Sequence, residues 1–340
     1  MPVPELGVQL GTLALKNPVI CGAGEHVADE AGLRAAIDAG AAAVVAKSAN
    51  ESEDARRQWH VREWVLLDAS RRPVEATSAA GTSLFNRSGL APLPWDEWLE
   101  LLARADEHAS ASDSYVVASV IPADPDALPG LARDVEAAGL RWLELNLSAP
   151  HAGESRPGSV ARADSPEAVT EATEAVREAV SIPLTVKLSG EGGDVASLAT
   201  AAHRAGADHV AMVGRHMAFM PDIETRRPLL GTFGAIGGDW ALPLTLRWVA
   251  KTRLAAGPAL PIVGTNGARD GGDVARLLLA GATAVQVATS VIVEGFEALT
   301  RITDELRAYL TEQELDAREL VGQAADAAAT YEEIALRSTS

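Results

Sequence analysis

The 340-residue sequence predicts an α/β fold, a (β/α)8 TIM barrel with a long insertion after the second strand and a C-terminal helical extension. Three observations carry that reading. Eight short apolar runs alternate with stretches of helical apolar spacing, and a parallel sheet built this way needs both faces covered and closes naturally on itself. The tripeptide Ala-Gly-Ala recurs around Gly40, Gly206 and Gly281, each time between a helical stretch and a strand, where αβ turns need a C-cap. Polar residues collect at the C-terminal strand ends, the face on which barrels carry their sites.

Taken in order, Val8 and Leu10, then Leu13 and Leu15, alternate with polar residues around Gly11-Thr12, the pattern of a hairpin at the barrel floor. Residues 17–21 form the first strand, 29–39 a helix with an acidic start, and 42–46 the second strand, which ends in Lys47-Ser48-Ala49-Asn50. From Glu51 to Pro94 the periodicity fails. That polar segment, with Trp59, His60, Trp64 and Phe85-Asn86-Arg87-Ser88-Gly89-Leu90, reads as a functional insertion such as a lid or substrate loop. Residues 95–107 form a helix whose Trp95 and Trp98 pack the core. Further strands are expected at 115–121, 142–147, 184–188, 209–212, 261–264 and 284–287, with helices at 165–180, 193–205, 241–256, 270–280 and 294–311. A last helical stretch, rich in Ala and Glu, covers 313–336. The barrel and its insertion are read as one domain over 1–312, with 313–340 as its extension.

Twenty-nine basic residues against 47 acidic leave a net charge of −18, which provides no electrostatic footprint for nucleic acid and opposes an anionic membrane surface. Cys21 is the single cysteine. It excludes an intramolecular disulfide and an iron–sulfur cluster, which takes about four thiolates. Met1-Pro2-Val3-Pro4-Glu5 lacks the basic region and apolar core of a signal peptide, and no apolar segment is long enough to span a bilayer. The expectation is a cytoplasmic protein without a metal site.

Three constellations carry chemistry. Thr265-Asn266-Gly267 follows the seventh strand and Ala288-Thr289 the eighth, where barrels bind phosphate through backbone N–H groups and a helix N-terminus. Lys47 and Lys187 stand at strand ends, suited to a flavin's electron-rich ring edge or to a Schiff base, or else paired with core carboxylates. Gly234-Ala235-Ile236-Gly237-Gly238 reads as a flexible backbone cradle before a helix.

The stretch Asn146-Leu147-Ser148-Ala149-Pro150-His151 resembles the active-site loop of the dihydroorotate dehydrogenase family, most closely that of the pyrimidine-reducing domain of dihydropyrimidine dehydrogenases. Ordered matches continue over about residues 6–310. They imply an FMN-dependent oxidoreductase acting on CH–CH bonds. By the resemblance, FMN is held by Ala23, Gly24, Lys47, Ser48, Asn86, Asn146, Lys187, Gly237, Gly238, Thr265, Asn266, Gly267, Ala288 and Thr289. Asn86, Ser88, Ser148, His151, Arg215 and His216 face the substrate. Where the family carries a catalytic Cys or Ser, this chain has Ala149, whose methyl group moves no proton. The candidate for its place is His151, which otherwise only donates a hydrogen bond to substrate, with His216 or water as alternatives, beside Lys187 and Asn146. Gly214-Arg215-His216 replaces the family's Asn-Thr or Asn-Ser, so the substrate is expected to differ from dihydroorotate. A single cysteine and the lack of an apolar helix ahead of the barrel lead to the expectation of a soluble electron donor or acceptor (fumarate, oxygen or a nicotinamide), and the resemblance implies a homodimer. A flavin pocket without turnover, and a non-flavin Schiff-base enzyme, are the alternatives.

Overall fold

The computed structural model describes residues 4–148, 164–191 and 193–337. Eight strands, all parallel to their neighbours, close a barrel: Val19–Cys21, Ala43–Val45, Tyr115–Val120, Leu143–Asn146, Leu184–Lys187, His209–Met212, Ile262–Thr265 and Ala284–Val287. Each pairs with the next in sequence, and the eighth pairs with the first through Gln286 and Ile20. Helices follow the strands outside, several opened by a side-chain cap: Asp29 accepts from the Gly32 N–H, Ser165 from Ala168 and Asp270 from Asp273. Gly40, Gly206 and Gly281 all have positive φ after their helices, as the Ala-Gly-Ala pattern predicts.

The hairpin Val8–Leu10 with Leu13–Leu15 closes the floor, where a Cβ on Gly11 would stand 3.0 Å from the His209 ring. Above it, His209 Nδ1 lies 2.9 Å from Thr185 Oγ1, which accepts from Trp142 Nε1 at 2.8 Å. Trp98 is buried and stacks on Trp95 at 5.1 Å between centroids, so both pack as expected.

The insertion is more ordered than its sequence suggests. Glu63–Leu67, Pro73–Val74 and Ser83–Arg87 form an antiparallel sheet with His216–Ala218 and Gly234–Gly238. Residues 234–238 are therefore a strand and not the flexible cradle expected. Their glycines hide the alternation from which a strand is read. One face of this sheet has its own small core of Leu67, Phe85 and Leu230. On the other face, Leu84 and Asn86 reach the mouth of the barrel. The C-terminal stretch is likewise not one helix: it divides into Ala317–Leu320, Gln323–Asp326 and Tyr331–Arg337, with Gly322 at φ 84° as a break. Arg253 anchors the second of these through two bonds to Asp326, at 3.0 and 2.8 Å.

Candidate active site

A cavity opens at the C-terminal ends of the barrel strands, between them and the inserted sheet. Its depth is set by strand alternation. Glu144 and Asn146, two residues apart on the fourth strand, point the same way into the barrel. Asn146 lines the cavity, while Glu144 is fully buried below it.

A hydrogen-bond chain joins these two levels. Asn146 Nδ2 donates to Ser48 Oγ at 3.1 Å, Ser48 and Ser119 hydroxyls are 2.8 Å apart, and Ser119 donates to Glu144 Oε1 at 2.9 Å. Ser119 has one proton and gives it to the carboxylate, so the Ser48 proton must point to Ser119. Lys187 Nζ donates to Gln286 Oε1 at 3.1 Å and lies 3.7 Å from Glu144, which also accepts from Gln286 Nε2 at 3.0 Å. The remaining oxygen of Asn146 accepts from the Ser148 N–H at 3.0 Å and its hydroxyl at 2.7 Å. Every amide and hydroxyl of the set is thus oriented before a ligand arrives.

A second cluster spans the mouth. Lys47 Nζ lies 3.2 Å from Glu25 Oε1 and donates to Ser88 Oγ at 2.6 Å, and Ser88 donates to Glu25 at 2.7 Å. Arg215 donates to Asn86 Oδ1, tying the loop after the sixth strand to the inserted sheet. Burial pushes the Glu25 carboxyl up, but the charges of Lys47 and Arg215 and the bond from Ser88 outweigh it and hold it at about 2. Burial lowers the Lys47 ammonium, against the opposing pull of Glu25. Both lysines therefore have carboxylate partners, one of the readings the sequence left open, and both still line the cavity.

At the far side, Asn266 and Gly267 adopt positive φ, 79° and 111°. Thr245 holds the turn by donating to the Asn266 carbonyl at 2.7 Å. The helix Thr289–Glu294 begins beside it, and its first N–H groups have no intrahelical acceptor. Such a turn and helix start suit a phosphate, while the lysines and amides across the cavity suit the polar edge of a flavin ring. The donor set fits FMN.

Of the residues singled out on sequence, Ala23, Gly24, Lys47, Ser48, Asn86, Ser88, Asn146, Ser148, Lys187, Arg215, Thr265, Asn266, Gly267, Ala288 and Thr289 all line this cavity. Gly237 and Gly238 stand in the strand behind it, where a Cβ on Gly237 would approach Asn266 Oδ1 to 2.9 Å. His216 is not among the lining residues. Its Nδ1 lies 3.1 Å from Glu191 and its ring packs on Trp240, so it is held at the sheet edge. Ala149 and His151 lie outside the described residues. Sequence reasoning missed Glu25, Glu144 and Gln286. An acid inside the apolar strand Leu143–Asn146 is a readable sign of a buried partner, whereas Glu25 has no such mark.

The sequence model of the family described as dihydroorotate dehydrogenase matches residues 68–310. The catalytic subunit of dihydroorotate dehydrogenase B (NAD(+)) from Pyrococcus furiosus is 32% identical over 243 residues, 71% of this chain and 77% of that protein. Its counterpart from Methanothermobacter thermautotrophicus is 29% identical over 324 residues, 94% of this chain and 99% of that protein. Dihydroorotate dehydrogenase A (fumarate) from Lactobacillus helveticus is 34% identical over 214 residues, 62% of this chain and 68% of that protein. The chain belongs to the dihydroorotate dehydrogenase family, whose members are FMN-binding flavoproteins.

Proposed function

We propose that this protein is an FMN-dependent oxidoreductase that moves a hydride to or from a CH–CH bond of a small organic substrate other than dihydroorotate. One observation carries the reading: Lys47, Ser48, Asn146 and Lys187, the set that the resemblance assigns to the flavin, line one cavity with Arg215, and Gly214-Arg215-His216 replaces the family's Asn-Thr or Asn-Ser. FMN bound there supplies the hydride acceptor or donor. Lys187 and Asn146 hold the ring edge and His151 moves the substrate proton, since imidazole titrates near neutrality. A guanidinium donates only, and Arg215 leaves a pyrimidine carbonyl–amide edge half matched. Each unmatched buried partner costs about 1–3 kcal/mol. The barrel with its insertion, 1–312, forms the catalytic domain, and the 313–340 extension offers surface for a homodimer. Two relatives name NAD(+) and fumarate, which supports a soluble electron acceptor or donor. Among the described residues no helix is long and apolar enough to cross a membrane.

The absorption spectrum of the purified protein, with the mass of the cofactor released by heat, is the first test. One FMN per chain is expected, reduced anaerobically by a substrate other than dihydroorotate. A colourless protein that takes up no FMN overturns the reading. Bound FMN that no organic substrate reduces would favour the alternative that Ala149 supports, a flavin pocket without turnover. The Schiff-base alternative is weakened because both amines are already engaged, Lys47 by Glu25 and Ser88 and Lys187 by Gln286 and Glu144.

A further inference from the structure

The cavity at the barrel mouth does not end at Glu25 and Asn86. Beyond them lies a second cavity of about 500 Å³, and Glu25, Leu84, Asn86 and Ile292 belong to the walls of both. Its outer wall is built largely by the insertion, through Arg62, Trp64 and Arg87.

Strand register explains the continuity. Trp64 stands directly opposite Asn86 in the antiparallel ladder. Opposed side chains leave a sheet on the same face, with Cβ atoms about 5 Å apart. Asn86 is buried against the first cavity, while Trp64 is 55% exposed and has no ring partner among the described residues. It presents a planar apolar surface next to the site, continued by Leu84 and Ile292.

The two arginines differ. Arg87 is fully engaged: it donates to the Val61 carbonyl at 2.8 Å, the Leu230 carbonyl at 2.6 Å and Glu63 at 3.2 Å. Arg62 is held by one bond to the Trp59 carbonyl at 2.7 Å and by stacking 3.9 Å above the Trp59 ring. Its other guanidinium nitrogens have no partner among the described residues. Stacking fixes the group in place and leaves its remaining donors for an anion.

We infer that the substrate has, beyond the group that reacts at the flavin, a planar arm that passes Glu25 and Asn86, stacks on Trp64 and ends in an anionic group at Arg62. This rests on the reading of the first cavity as the flavin and substrate site. It makes the inserted sheet the part of the chain that selects the substrate.

The test uses FMN-loaded protein and two dianions that differ by one ring, terephthalate and biphenyl dicarboxylate, titrated by calorimetry. The longer acid should bind about tenfold tighter, the scale of one added aromatic contact. Trp64→Ala should abolish that gain and leave terephthalate unchanged, and Arg62→Gln should weaken only the longer acid. Unchanged flavin content and thermal midpoint show that the variants remain folded. Equal affinities, a gain that survives Trp64→Ala, or no binding of the longer acid overturns the inference. A preparation that takes up no FMN overturns the underlying reading instead, and the flavin spectrum shows this before any diacid is added.

Discussion

Lys47 and Glu25 face each other at 3.2 Å in the mouth of the barrel, one from the end of the second strand and the other from the turn after the first. The pair makes stability depend on pH. The Glu25 carboxyl is held at about 2 against an ordinary 4.5, so its folded value lies below its unfolded one. Its contribution is therefore full above about pH 4.5 and is lost as pH falls toward 2. Wild-type protein should lose stability through that window, and Glu25→Gln should lack this component while being less stable at pH 7. Thermal midpoints across the range check it. Parallel profiles for the two proteins would remove Glu25 from the account.

Lys187→Met leaves the fully buried Glu144 with neutral donors only. Breaking one partner of a buried pair costs about 3–5 kcal/mol. Urea denaturation should show a loss of that size, and Lys187→Met with Glu144→Gln should recover part of it. The double variant should still bind FMN poorly, because the cation proposed for the flavin's ring edge is gone.

Ala149→Cys restores a proton-moving group to the loop. It should still not confer dihydroorotate oxidation, because Arg215 and its bond to Asn86 remain. His151→Ala should slow flavin reduction by the true substrate about a hundredfold or more, the usual contribution of a general acid or base. Stopped-flow reduction of the bound flavin reads both. A dihydroorotate-active Ala149→Cys protein would show that the pocket still accepts the pyrimidine.

Gly89 is where the insertion closes on the site. A Cβ there would lie 2.7 Å from both N and Cα of Trp59, a clash with backbone that no rotamer relieves. Gly89→Ala should destabilise the fold by about 1–3 kcal/mol. Limited proteolysis should then cut within 51–94 faster than in wild type, with the barrel itself intact.

Local sequence is enough to specify the barrel. Strand and helix are encoded by local periodicity, and the run Ala42–Ala46 or the Ala-Gly-Ala turns need no distant residue to be read. It also marked the cavity, since residues at C-terminal strand ends converge whatever the loops do, and Lys47, Asn146 and Lys187 stand there. How those charges are matched comes from the folded arrangement alone. Glu25 meets Lys47, and Glu144 meets Lys187, across 22 and 43 positions of chain, distances over which no periodicity carries information. It decided the insertion as well. The sheet of residues 63–87 is completed by Gly234–Gly238, nearly 150 residues away by the pairing of Asn86 with Ala235, and an antiparallel ladder is specified jointly by both partners.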